Sequence, residues 1–205
     1  MKKILLLLPL LVLTINANAQ TKFGVKGGMN VSNLRGEDEN ADAKIGLYAG
    51  GYATIKIDDK FAFQPEVLYS AQGAKQEGNL NVDGIGNAFA KVKYKVDYIN
   101  IPLMFKYYAT EGLSIEAGPQ VGLLVSSKMN VKGHVLSSSQ QFDTTVDAKD
   151  LFKSVDFGLN VGLGYELSNG INFGARYNFG LANISDVGGK IKNSVFSFGL
   201  GYSFK

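Results

Sequence analysis

From Phe196 to Phe204 every second residue is apolar: Phe196, Phe198, Leu200, Tyr202 and Phe204 alternate with Ser197, Gly199, Gly201 and Ser203. A period of two places the five apolar side chains on one face of a strand and only Ser and Gly on the other. A strand with one wholly greasy face that ends on an aromatic suits the closing strand of a bacterial transmembrane β-barrel.

One other segment is strongly apolar, and it is too short to span. Met1-Lys2-Lys3 is a basic head, residues 4–15 are apolar apart from Pro9 and Thr14, and Ala17-Asn18-Ala19 has the small-x-small form of a cleavage site. A run of about 12 residues falls short of the ~20 that a membrane helix needs. Residues 1–19 are expected to be a secretory signal peptide, and residues 20–205 the outer-membrane barrel domain. No Cys follows the apolar run, so a lipid-anchored lipoprotein is not expected. An exported domain without cysteine depends on its own core or on a bilayer for stability.

Without Lys2 and Lys3, the 21 Lys and Arg fall to 19 against 18 Asp and Glu, a net charge of about +1. Nucleic acid is therefore not an expected partner. The 25 Gly, scattered among Tyr and Phe, suit a closed barrel better than a helical domain.

Eight segments alternate: residues 23–32, 45–57, 61–71, 92–107, 113–127, 155–167, 171–181 and 196–205. The predicted fold is all-β, an eight-stranded antiparallel up-and-down transmembrane β-barrel. The fourth segment slips: Val92, Tyr94 and Val96 are even-numbered, whereas Ile99, Ile101, Leu103, Phe105 and Tyr107 are odd. A β-bulge near Asp97-Tyr98 would keep both halves facing the same way. Pro102 then lies mid-strand on the polar face, an unusual place for a residue without an N–H.

The connections alternate in length. Residues 58–60, 110–112 and 168–170 are tight, while 33–44, 73–91, 128–154 and 182–192 are long and polar. Outer-membrane barrels have short periplasmic turns and long outer loops, so both termini are expected in the periplasm. Each tight turn fits a three-residue hairpin loop with Gly112 and Gly170 in left-handed positions. The implied registers set Lys56 opposite Ala62, Lys106 opposite Glu116, and Gly162 opposite Arg176.

The polar faces carry Lys26, Glu66, Lys106, Glu116, Asp156, Glu166 and Arg176 among many Gly. Eight strands enclose a space just wide enough for side chains. Charged chains opposite Gly fill it, which favours polar-in and greasy-out over the lipocalin arrangement with apolar residues inside. Lys106–Glu116 is the expected internal ion pair, and Arg176 should meet Glu66, Glu116 or Asp156. Buried charges must be paired, so a self-satisfied plug is expected rather than a selective constriction. Two aromatic girdles are expected: Phe23, Phe61, Phe63, Tyr107, Phe173 and Phe204 at one rim, and Tyr69, Tyr94, Phe157, Tyr177, Phe179 and Phe196 at the other.

Several stretches resemble a known family. Tyr98-Ile99-Asn100-Ile101-Pro102-Leu103-Met104-Phe105-Lys106-Tyr107-Tyr108 is similar to a recurrent strand of the outer-membrane β-barrel family common in Bacteroidetes, termed porin-family or PorT-like. So are Ala117-Gly118-Pro119, residues 156–166 from Asp156-Phe157-Gly158, and residues 176–184 from Arg176-Tyr177-Asn178. The resemblance spans residues 20–205. It implies the barrel fold, makes Pro102 expected, and carries no catalytic residue. The PorT-like name implies a link to protein secretion for some members.

Chemistry is sparse. His134, Ser137, Ser138, Ser139 and Asp143 share one long connection, but nothing orders them as base, nucleophile and orienting acid. Glu37, Asp38, Glu39 and Asp42 lack the spacing of a calcium loop. Asp58-Asp59 reads as a turn, and Gly188-Gly189-Lys190 lacks the rest of a phosphate-binding motif. No enzyme activity and no cofactor are expected. The expected function is surface interaction, envelope structure or limited small-solute permeation in a Gram-negative outer membrane. The alternative is an accessory to secretion or envelope-assembly machinery. Expected partners are outer-membrane lipid and an envelope protein or surface ligand bound by the long connections.

Overall fold

A computed structural model of the protein describes residues 21–36, 42–82, 86–135 and 141–204. The proposed signal peptide lies outside the described residues. Nine strands form among them: β1 (Thr21–Arg35), β2 (Asp42–Lys56), β3 (Phe61–Val82), β4 (Gly86–Tyr108), β5 (Leu113–Val135), β6 (Gln141–Asp147), β7 (Val155–Glu166), β8 (Ile171–Gly180) and β9 (Lys192–Ser203). All pairings are antiparallel. The pairs β1–β9, β4–β5 and β5–β7 close eight of the strands into a ring, with β6 attached only to the far part of β5.

The outward face is apolar along the ring. Met29 and Leu123 are 37% exposed and Leu47 is 64%, with Phe61, Phe23, Phe105, Leu163 and Leu200 between. The inside holds buried Asn30, Gln64, Glu66, Asn100, Glu116 and Asn160. This is the polar-in arrangement; a lipocalin would have it reversed. The 12 residues of β7 rise ~3.3 Å each. Tilted by about 40°, they span roughly 30 Å, the thickness of a bilayer's hydrocarbon.

All three expected hairpin registers are present: Lys56 opposite Ala62, Lys106 opposite Glu116, and Gly162 opposite Arg176. The turns differ in detail. Asp58 Oδ1 accepts from the N–H groups of Lys60 and Phe61 at 2.7 and 2.8 Å, an Asx-type turn. Gly170 has φ +92°, as a left-handed position requires. Gly112 does not. Its value lies in close approach: a Cβ there would lie 2.8 Å from the Glu166 carbonyl oxygen, and the Glu166 N–H donates to Gly112 O at 2.9 Å.

The long connections are not simple loops. β3 and β4 stay paired out to Val82–Gly86, and β4 and β5 out to Ala88–Val135. β3, β4 and β5 are 22 or 23 residues long, nearly twice β7, so they continue beyond the apolar band as a ribbon. β6 adds a further strand to its edge.

The bulge lies opposite the expected residues, on the other strand. The β3–β4 register runs unbroken through Asp97 and Tyr98. Across the other ladder Asp97 faces Ser126 and Tyr98 faces Leu124, so the extra residue is Val125 of β5. With no inversion in β4, Val96 and Tyr98 point inward and are 1% exposed. Tyr94 also packs inward, edge-on to Phe152 at 6.2 Å, and does not join the aromatic girdle. Phe61–Tyr107 and Tyr177–Phe179 are ring contacts at the two rims.

Deleting Val125 should therefore leave a continuous β4–β5 ladder with Ser127 still inside, and the barrel should still fold. Deleting Tyr98 should shift both of its ladders by one residue and abolish folding. The check is electrophoretic mobility with and without boiling: a shift on boiling is expected for the first variant and none for the second.

Candidate functional site: the closed lumen

At mid-barrel, β8 places Arg176 between Glu66 of β3 and Glu116 of β5. The guanidinium donates from Nη1 and Nη2 to the two Glu66 carboxylate oxygens at 3.0 Å each. From Nε and Nη2 it donates to Glu116 Oε1 at 3.0 and 2.8 Å. The planar fork suits two carboxylates at once in a way an ammonium would not. Lys26 of β1 adds a bond to Glu66 at 2.8 Å. Lys106 stands 3.9 Å from Glu116 and donates to Gln64 Oε1 at 3.3 Å. The expected Lys106–Glu116 pair is thus the loosest contact of the cluster, and Arg176 is its hub. Side-chain exposure is 0% for Glu66 and 12% for Arg176. Gly162, directly opposite Arg176, leaves room for the guanidinium; a Cβ there would sit 3.2 Å from Glu116 Oε1.

Two of the expected members lie elsewhere. Glu166 is at the short-turn mouth, 3.5 Å from Lys22. Asp156 lies near the opposite mouth, where Asn193 donates to its Oδ2 at 3.4 Å, and its Oδ1 has no protein partner among the described residues. Seven charges on one set of strand faces do not make one cluster, because the lumen is as long as the bilayer is thick.

Towards the long-ribbon end, the ionic layer gives way to amides and hydroxyls. Ser197 donates to Asn30 Oδ1 at 2.7 Å, Asn30 to Ser70 at 2.8 Å, Asn178 to Asn160 at 3.1 Å, and Asn160 to Gln120 at 3.2 Å. Above them is an apolar plug of Val96, Tyr98, Phe152 and Ile184, flanked by Leu34, Tyr94, Leu124, Leu151 and Ile191. Phe152 and Ile184 come from the β6–β7 and β8–β9 connections, tied together by a bridge between Phe152 and Ser185. Sequence reasoning missed this plug. Its signals were the parity slip in β4 and the isolated apolar residues Leu151, Phe152, Ile184 and Ile191 within stretches read as polar.

The space left within the lumen is small, about 50 Å³ on the ribbon side of Arg176 and about 30 Å³ on the turn side. Wider vestibules of about 350 and 400 Å³ open at the two mouths.

Of the candidate catalytic group, Asp143 is the member whose side chain is described. Ser137, Ser138 and Ser139 lie outside the described residues, and so do the side chain of His134 and residues 37–41 of the acidic connection. Asp143, on exposed β6, is engaged with Lys132 at 2.6 Å and Asn130 at 2.9 Å, and these bonds hold its carboxyl below the usual carboxylate range. No metal-binding group of three or more His, Cys, Asp or Glu occurs among the described residues.

The family model for the outer membrane protein beta-barrel domain matches residues 17–186. The chain belongs to that family. It is a protein of the bacterial outer membrane, embedded in lipid through its strands. Among solved structures, Neisserial surface protein A superposes with a TM-score of 0.52 at 12% identity, over 89% of this chain and 97% of that one. Ail of Yersinia pestis gives 0.47 at 12% identity, covering 90% and 99%. OprG of Pseudomonas aeruginosa gives 0.43 at 15% identity, covering 91% and 97%. No curated protein sequence matches the chain.

The ionic layer should be strongly coupled. Arg176→Gln leaves two buried carboxylates facing each other and should destabilise the barrel by about 3–5 kcal/mol. Adding Glu66→Gln and Glu116→Gln should recover part of that loss. Urea titration followed by gel mobility measures both; equal loss in the single and triple variants would contradict the coupling.

Proposed function

We propose that the protein is a non-enzymatic outer-membrane barrel that acts through its β-ribbons, with its lumen closed to solutes. The observation that carries this reading is the double closure. A layer of paired charge and an apolar plug occupy the same narrow bore, and an eight-stranded barrel has no width to spare beyond its own side chains. The permeation reading is correspondingly disfavoured. The short turns and both termini face the periplasm, and the ribbons of β3–β6 stand outside, following the usual asymmetry of such barrels. Residues 1–19 act as the export signal in this reading. The ribbons supply the contact surface for an envelope protein or surface ligand, as elements raised beyond a rigid scaffold commonly do.

Planar-bilayer recording tests the closure. No steady conductance is expected from the purified barrel, nor from Phe152→Ala, because the Arg176 layer still blocks the bore. Stable ion conductance from the unmodified protein would overturn the closed-lumen reading. A photo-crosslinking residue in place of exposed Thr144 on β6 should capture an envelope or extracellular partner in intact cells. Reproducible capture of secretion or assembly components would assign the protein to the accessory class.

A further inference from the structure

The vestibule of about 350 Å³ at the ribbon mouth is floored by the apolar plug, where Tyr94 and Phe152 face into it. Leu34, Leu151, Val187 and Ile191 line its sides. Val187 is 66% exposed, so its apolar surface is not used by the plug. Sites for small molecules are concavities of roughly 300–1,000 Å³, mostly apolar, with a few polar groups that fix the ligand's orientation. A cavity of about 150 Å³ admits benzene, so this one has room for an apolar body of about two rings.

The rim is polar in one sense only. Gly188, Gly189 and Lys190, at the bend of the β8–β9 connection, all line the vestibule. Gly188 and Gly189 have φ +105° and +72°. Their carbonyls are engaged within the connection: Ser185 Oγ donates to Gly188 O at 2.6 Å, and Asn183 Nδ2 to Gly189 O at 3.0 Å. The N–H groups of Gly188, Gly189 and Lys190 donate to nothing among the described residues.

Successive N–H groups left unbonded on a bend cradle an anion, and the Lys190 ammonium adds a full positive charge beside them. Lys75 also lines the vestibule, but it lies across the ladder from Asp42, so Lys190 is the cation of the rim. No Asp or Glu lines the vestibule among the described residues. Donors and a cation at the rim, over an aromatic and aliphatic floor, match an acceptor-bearing head on an apolar body.

We propose that this vestibule binds a small organic anion with an apolar body of about two rings. The body lies on Tyr94 and Phe152 beside Val187 and Ile191, and the carboxylate or sulfonate head meets residues 188–190. The plug makes the site blind, so the ligand is held and not passed. The site names the class of surface ligand in the function proposed above, and it rests on that reading for its access from the exterior.

The test uses the full barrel in phosphatidylcholine nanodiscs, titrated calorimetrically with naphthalene-2-carboxylate. The cationic 2-naphthylmethylammonium and the neutral 2-naphthalenemethanol are titrated alongside, and empty nanodiscs are the control. The carboxylate should bind saturably and roughly tenfold more tightly than either analogue, as a charge-assisted hydrogen bond supplies. Lys190→Glu should abolish that preference. Val187→Ser should weaken all three probes by about threefold, through lost apolar contact. Both residues are exposed, and the boiling shift checks that each variant folds; should Lys190→Glu not fold, Lys190→Gln is read in its place. Absence of saturable binding, equal affinity for the three probes, or an unchanged preference in the folded Lys190 variant overturns the proposal. So does carboxylate binding that appears only in E37Q/D38Q/E39Q, which would make the acids of the β1–β2 connection the occupant of the rim. Separately, Lys132→Cys on the exposed ribbon should react with a membrane-impermeant maleimide on intact cells. Binding in nanodiscs without labelling on cells overturns the orientation alone, and labelling without binding overturns the site alone.

Discussion

Within hydrocarbon an unpaired backbone N–H or C=O has no water to bond, and the plan of this protein follows from that cost. A sheet can cross only if it has no edges, so β1 must meet β9 and the ring must close. Ring closure with eight strands fixes a narrow bore. The side chains that point inward must then fill it and satisfy one another, because little solvent reaches them. The Arg176 layer is one solution: a forked cation spanning two carboxylates, with a glycine opposite to make room.

The same closure explains why the lumen changes chemistry along its length. At the level of the lipid the outward face is apolar, and the inward face carries the polar residues. Beyond the lipid the outward face meets headgroups and water, so it becomes polar, and the inward face is free to be apolar. β4 makes the exchange near Asp97: below it Ile99 and Leu103 face out, and above it Val96 and Tyr94 face in while Lys95 and Lys93 face out. Plug and lysine face are thus two sides of one change of surroundings. The bulge at Val125 allows β5 to follow, bringing Ser127 and Met129 inward opposite Val96 and Tyr94.

Much of this was legible in the chain. Period-two alternation and the short and long connections were enough for the eight strands of the ring, the three hairpin registers and the polar-in arrangement, but not for β6 or the outer halves of β3, β4 and β5. The parity slip in β4 was visible too, but a slip has two physical causes, an inserted residue or an inverted environment, and the pattern of one strand does not distinguish them. The expected bulge was therefore assigned to β4 when the ladder carries it on β5. Gly112 showed the same ambiguity, since a turn glycine can serve either a left-handed conformation or a close neighbour.

Except in the far part of β4, where Tyr94 and Val96 face inward rather than with Ile99, the sequence by itself determined which residues share a face, because a strand's side chains alternate whatever it pairs with. Only the tertiary structure decided which of those residues meet. Lys26, Glu66, Lys106, Glu116 and Arg176 gather because strand tilt and shear bring them to one height, while Asp156 and Glu166, on the same face, fall near opposite mouths. Phe152 and Ile184 were read as parts of polar connections, and it is the folding of two connections over one mouth that makes them a plug. Height along a closed barrel depends on the register of every ladder at once, so no single strand encodes it.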